Sequence, residues 1–179
     1  MLRFLFVALA TAGFCATTVQ AADTESSGDS GFRFDIKKLD VNVYGLAYHP
    51  DRDTVHNENL DNEFNPGLGL HYELRNTERG ITFAELGSYY DSGSHWATFL
   101  ALGYQWKWGE KWRFGGAVAA MNSQTYNHGV AFVGMFPVVT YDMGPIKLNG
   151  VYFPKVANYN EVAAFGFYLS VPLGQWFGD

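Results

Sequence analysis

From Trp96 to Trp106 the side chains alternate without a break. Trp96, Thr98, Leu100, Leu102, Tyr104 and Trp106 fall on one parity, and Ala97, Phe99, Ala101, Gly103 and Gln105 on the other. Successive side chains of a strand point to opposite faces, so this stretch reads as a β-strand with one large apolar face and one small or polar face. A soluble sandwich would bury the large face against a second sheet. A membrane barrel would turn it to lipid and close the small face around a lumen. Trp96 at one end and Tyr104 with Trp106 at the other favour lipid, because such rings collect at the two bilayer interfaces. The polar turn just before it, Asp91-Ser92-Gly93-Ser94-His95, would then lie at a rim.

The same period recurs along the chain. Leu68, Leu70, Tyr72 and Leu74 oppose Gly67, Gly69, His71 and Glu73; Ile81 to Tyr90 forms the next strand, with Glu85 turned inward; and Trp112 to Met121 alternates again. Weaker strands run over 39–48, 130–141, 146–153 and 161–173. Alternation of Phe32, Phe34 and Ile36 reads as the start of the first strand. The connections at 76–80, 107–111 and 142–145 are tight, whereas 49–65, 122–129 and 155–160 are longer and polar; the turn at 91–95 is the short exception among the latter. Eight strands with alternately short and long connections predict an all-β, eight-stranded antiparallel up-and-down outer-membrane β-barrel.

Residues 1–22 read as an export signal: Arg3 supplies the positive start, Phe4 to Phe14 the apolar run and Val19-Gln20-Ala21 the small-x-small cleavage site. The run is too short to span a bilayer as a helix. A polar segment, 23–38, and a barrel, 39–179, follow. Cys15, the chain's one cysteine, leaves with the signal, so disulfides do not hold the mature chain. Removing Arg3 makes the chain more acidic than its −6, a balance that argues against a nucleic-acid partner. Aromatics at 17%, 20 glycines and a mean hydropathy of −0.11 fit a small barrel, in which only every second residue meets lipid.

The up-and-down count puts both chain ends at one rim and brings His49 and Asp91-Ser92 together at the other. There an imidazole could move a proton and a carboxylate orient it, as acyl transfer requires; solvated loop residues are the plainer interpretation. Inward His71, Glu73 and Glu85 could bind a ligand, or could simply help to fill a narrow lumen. The five histidines, His56 and His128 among them, show no metal-ligand spacing, and no cofactor is implied. Pro66, Pro137 and Pro154 each remove a ladder hydrogen bond. They mark strand ends or open a seam through which a lipid tail could enter.

From Asp40 to Leu173 the chain resembles the lipid A palmitoyltransferase (PagP) family. The resemblance rests on Phe136-Pro137 through the Gly144-Pro145 turn to Tyr152-Phe153-Pro154, on Glu63-Phe64-Asn65-Pro66 before a glycine-rich strand, on Asp91-Ser92, on Gly103-Tyr104-Gln105-Trp106, and on His49, 17 residues before Pro66. It implies a monomeric outer-membrane acyltransferase. Its donor would be a phospholipid giving palmitate from the sn-1 position, and its acceptor a hydroxyacyl chain of lipid A. His49, Asp91 and Ser92 would be catalytic, with His49 the base, and Gly103, Gln105, Pro66, Pro137 and Pro154 would serve the acyl chain. Three features depart from the family: the N-terminal amphipathic helix is reduced to 32–38, Tyr44 replaces an access proline, and Gln105 replaces a glycine where it would make the acyl pocket shallower. A non-catalytic structural or adhesive barrel is the alternative. A lipid A deacylase is disfavoured because the chain has no His-x-Ser pair.

Overall fold

The computed structural model describes residues 33–156 and 159–177, so the proposed export signal lies outside the described residues. Within a compact unit spanning Phe34–Asp179, eight antiparallel strands close into a barrel in sequence order. They are β1 (Leu39–Tyr48), β2 (Phe64–Asn76), β3 (Gly80–Tyr90), β4 (Trp96–Trp108), β5 (Trp112–Asn122), β6 (Phe132–Asp142), β7 (Lys147–Phe153) and β8 (Ala164–Pro172). Closure is by β1 against β8, from Asp40↔Pro172 to Tyr48↔Phe165. Two expectations need correction. Residues 36–38 are a 3-10 turn, capped by Asp35 accepting from the Lys37 N–H, and not the start of β1. The 49–63 connection contains a one-and-a-half-turn helix, α1 (Arg52–Asn57), begun by Asp51 accepting from the Thr54 N–H.

The tight connections and residues 36–38 and 174–177 share the lower rim; residues 49–63, 91–95, 123–131, 154–156 and 159–163 lie at the upper rim. A short second helix, α2 (Gly174–Phe177), follows β8, a feature that the sequence pattern did not reveal.

The distribution of side chains is the reverse of a soluble protein's. Leu68, Leu100, Leu102, Val118, Val133 and Met135 are exposed on the outer wall, while Asp40, Asn42, Glu85, Gln105, Thr140, Lys147 and Asn149 are buried. Exposed aromatics sit at both ends of that wall, Phe64 and Trp96 above and Trp106, Trp108 and Trp112 below. No helix among the described residues is long and apolar enough to cross a membrane. An apolar wall with aromatic edges is what a strand-built membrane crossing needs.

The lumen has two halves. Below, Lys147 Nζ meets Asp40 Oδ2 at 2.6 Å and Glu73 Oε1 at 3.5 Å, and Arg113 pairs with Glu73 at 3.6 Å and with Asp142 at 3.0 Å. Beside them Gln105 Nε2 donates to Thr140 Oγ1, Thr140 Oγ1 to Asn149 Oδ1, Asn149 Nδ2 to Ser170 Oγ and Ser170 Oγ to Asn42 Oδ1. Each link offsets the burial of the groups it joins, and Asn42 Nδ2 at the end of the chain is left without a hydrogen-bond partner among the described residues. Above, the filling is Ala101, Ala117, Ala119, Met121, Phe136 and Val138, with Phe83 at the floor of this apolar cluster. Between the halves lies Glu85: Tyr44 and Tyr168 hydroxyls donate to it at 3.0 and 3.4 Å, and His71 Nδ1 lies 3.3 Å away.

Candidate functional site

Small side chains of β4 and β5, Ala101, Ala117 and Ala119, leave the upper lumen partly open. The resulting apolar cavity is small, about 90 Å³. Phe83, Phe99, Met121, Phe136 and Phe153 belong to its apolar wall, Asn65 and Ser92 line it near the upper rim, and Tyr44, Glu85 and Tyr168 line it at the polar boundary. Its depth is therefore set by Phe83 and the Glu85 cluster. Gln105 does point inward, as its parity demands, but it lies below this boundary and is absorbed in the bond to Thr140. Gly103 faces the same way, and the Phe83 ring occupies the space of its missing side chain: a Cβ there would stand 2.2 Å from Phe83 Cζ.

His49, Asp91 and Ser92 are all buried at the upper rim, with 3%, 0% and 6% of their surface exposed. Two consecutive residues, Asn62 and Glu63, lie between them, and among the described residues no hydrogen bond joins them directly. Asn62 Nδ2 donates to the Asp91 carbonyl at 3.0 Å and its backbone N–H to the Ser92 carbonyl at 3.4 Å, while the next residue, Glu63, places Oε1 3.8 Å from His49 Nδ1. Among the described residues no hydrogen bond joins His49 to Asp91 or Ser92, and His49 Nδ1 is buried without a hydrogen-bond partner. Burial holds the His49 imidazole below its ordinary pKa, only partly offset by the Glu63 carboxylate; Arg52 pushes it down further and Asp61 up. The ring is thus neutral near pH 7, the form that accepts a proton.

Asp91 is engaged elsewhere. Its Oδ1 accepts from the Gly93 and His95 N–H groups, each at 3.0 Å, and from Thr125 Oγ1 at 2.8 Å; its Oδ2 accepts from Ser123 Oγ. The carboxylate therefore ties the 91–95 turn to the start of the 123–131 loop. Gly93 is needed for this approach, since a Cβ there would meet Thr125 Oγ1 at 2.3 Å. The carboxylate beside His49 is Glu63, itself held by Arg52 Nη1. Sequence reading passed over Asn62, Glu63, Ser123 and Thr125. Glu63 lies three residues before Pro66, in the Glu63-Phe64-Asn65-Pro66 segment, but the pairing of Ser123 and Thr125 with Asp91 crosses more than 30 residues and two loops, so nothing local signals it.

The three prolines mark irregularities of different size. At Pro137 the β6–β7 ladder stops: its uppermost pair is Val138↔Val151, so β6 above Pro137 lacks β7 as a partner. A lateral recess fills this gap, lined by Phe132, Gly134, Phe136, Phe153 and Pro154. Pro154 directly follows β7. Pro66 lies just above Gly67↔Tyr89, the top pair of the β2–β3 ladder, where the β1–β2 register also shifts. At Tyr44, by contrast, the wall is closed: the β1–β8 ladder resumes across a single bulged residue, from Tyr44↔Tyr168 to Leu46↔Phe167. No group of His, Cys, Asp and Glu among the described residues could hold a metal ion. Comparison with protein-family models and with curated proteins returns no match.

Proposed function

We propose that the protein is an outer-membrane acyltransferase that moves a palmitoyl or similar chain from a phospholipid to lipid A. One observation carries this reading: an apolar recess in the upper lumen, with Ser92 on its wall near the rim and an unpaired β6–β7 flank beside it. An eight-stranded barrel is narrow enough to be filled by its own side chains. A lumen that is filled below and opened by alanines above fits a hydrocarbon guest. The resemblance to the lipid A palmitoyltransferase family supports the same reading.

In this chemistry neutral His49 takes the proton from an acceptor hydroxyl, whose oxygen attacks the donor's ester carbonyl. The donor C–O bond breaks, the departing lysophospholipid oxygen recovers the proton from the imidazolium, and one ester replaces another. A Ser92 acyl-enzyme would divide the same exchange into two steps. Glu63 positions the imidazole, and Asp91 positions Ser92 through the turn that both share.

Expression in a Gram-negative host should yield lipid A one acyl chain heavier by mass spectrometry. His49→Ala and Ser92→Ala at matched outer-membrane levels should lower that product by about 10²–10⁴-fold. Unchanged lipid A from folded, membrane-inserted protein would remove the enzyme reading and leave a structural or adhesive barrel. The saturation of Asp91 by loop donors is the observation that favours that second reading.

A further inference from the structure

The lower rim carries a basic feature that the lumen chemistry does not use. Along β2, His71 and Glu73 face the lumen, and simple alternation would send Arg75 there too. A register shift between Glu73 and Arg75 instead sets Arg75 opposite Thr82, whose own partner on β4 is Tyr104. Thr82 and Tyr104 belong to the outward parity of their strands, so the bulge re-aims Arg75 from the lumen to the outer wall. Arg79 reaches the same place from the β2–β3 turn. That turn is pinned by Lys107, whose Nζ donates to Asn76 Oδ1 at 2.7 Å and to the Thr77 carbonyl at 2.8 Å and whose N–H donates to the Arg79 carbonyl at 2.9 Å.

Arg75, Glu78, Arg79, Thr82 and Tyr104 line one recess. Neither guanidinium has an ion pair or side-chain hydrogen bond among the described residues, and the Tyr104 hydroxyl donates to none. Two cations against the single Glu78 carboxylate leave the recess one unit positive. Directly above it, Ala84 stands between Tyr72 and Leu102 in one cross-strand row. Ala84 is a dip in the apolar wall directly above the recess, bounded higher up by the row of Leu70, Leu86 and Leu100. Forked guanidiniums and a phenol below such a dip match a phosphodiester whose attached acyl chain lies over Ala84.

We infer that this recess binds the headgroup of an anionic phospholipid in the leaflet at the lower rim, with Arg75 and Arg79 on the phosphodiester and an acyl chain over Ala84. The inference rests on the lipid-facing part of the proposed function and is independent of acyl transfer.

Native mass spectrometry of the full chain in neutral detergent, titrated with phosphatidylglycerol, tests it. The double variant Arg75→Gln/Arg79→Gln should bind about tenfold more weakly or worse. Lys37→Gln/Lys38→Gln, which removes the same charge from exposed positions at the same rim, should bind as the wild type does. Equal weakening in both variants would reduce the effect to general charge, and no weakening in the first would remove the site. Glycerophosphate competing as well as the lipid would make the recess a free-anion site, and equal affinity for phosphatidylethanolamine would remove the preference for net negative charge; either result overturns the inference. Protein that leaves lipid A unchanged yet binds phosphatidylglycerol in this way defeats the acyltransferase reading alone, and the converse defeats only this one.

Discussion

His49 and Asp91 show how differently two buried polar residues at one rim can be used. Asp91 accepts four hydrogen bonds from two loops and has no capacity left to orient an imidazole. His49 makes none through Nδ1 and depends for its charge state on burial and on Glu63. A pH prediction follows from the sign of these effects. Because burial lowers the folded-state pKa below 6.5, the neutral base is present at and above that value and is lost only as pH falls through the lowered one. The acid limb of the acyl-transfer rate should therefore lie below pH 6.5. Glu63→Gln removes a group that raises the His49 pKa, so it should move that limb to still lower pH in a pH–rate profile of purified enzyme. A limb that stayed in place would mean that His49 is not the titrating base.

At the scale of elements, the barrel's ladders are unequal. β3 and β4 share an unbroken register from Gly80↔Trp106 to Tyr90↔Trp96, whereas β6 and β7 meet only between Val138↔Val151 and Asp142↔Lys147. Amides of β6 above Pro137 that point away from β5 should exchange with solvent deuterium well ahead of β3 and β4 amides at the same height, as NMR in detergent would resolve. Equal protection would show that this flank is closed in solution. The strands themselves were readable from alternation, because a closed wall with an outer face and a lumen imposes opposite demands on successive residues. Irregular elements were not. Phe34 and Ile36 mimic strand parity, yet Asp35 captures the Lys37 N–H and turns the chain before β1 begins. The bulge at Glu73/Arg75 was equally hidden, since a one-residue register shift is a property of the pair of strands and not of either alone.

Across the whole molecule, the lower lumen acts as one ionic plug. Lys147 on β7 serves both Asp40 on β1 and Glu73 on β2, across the closed lumen. Lys147→Ala would leave those carboxylates short of a cation and should cost about 3–5 kcal/mol in denaturant unfolding from detergent or bilayers. Lys147→Ala with Asp40→Asn should recover part of that loss. Period-two patterning and turn spacing were sufficient by themselves to specify eight strands, their order and which face of each turns outward, because these follow from backbone geometry. Which polar groups actually meet was decided only by closure of the sheet. Barrel closure brings Lys147 to Asp40 and Ser170 to Asn42, and loop packing brings Ser123 and Thr125 to Asp91 and Glu63 to His49. Those contacts depend on shear and loop geometry, which no local pattern of residues encodes.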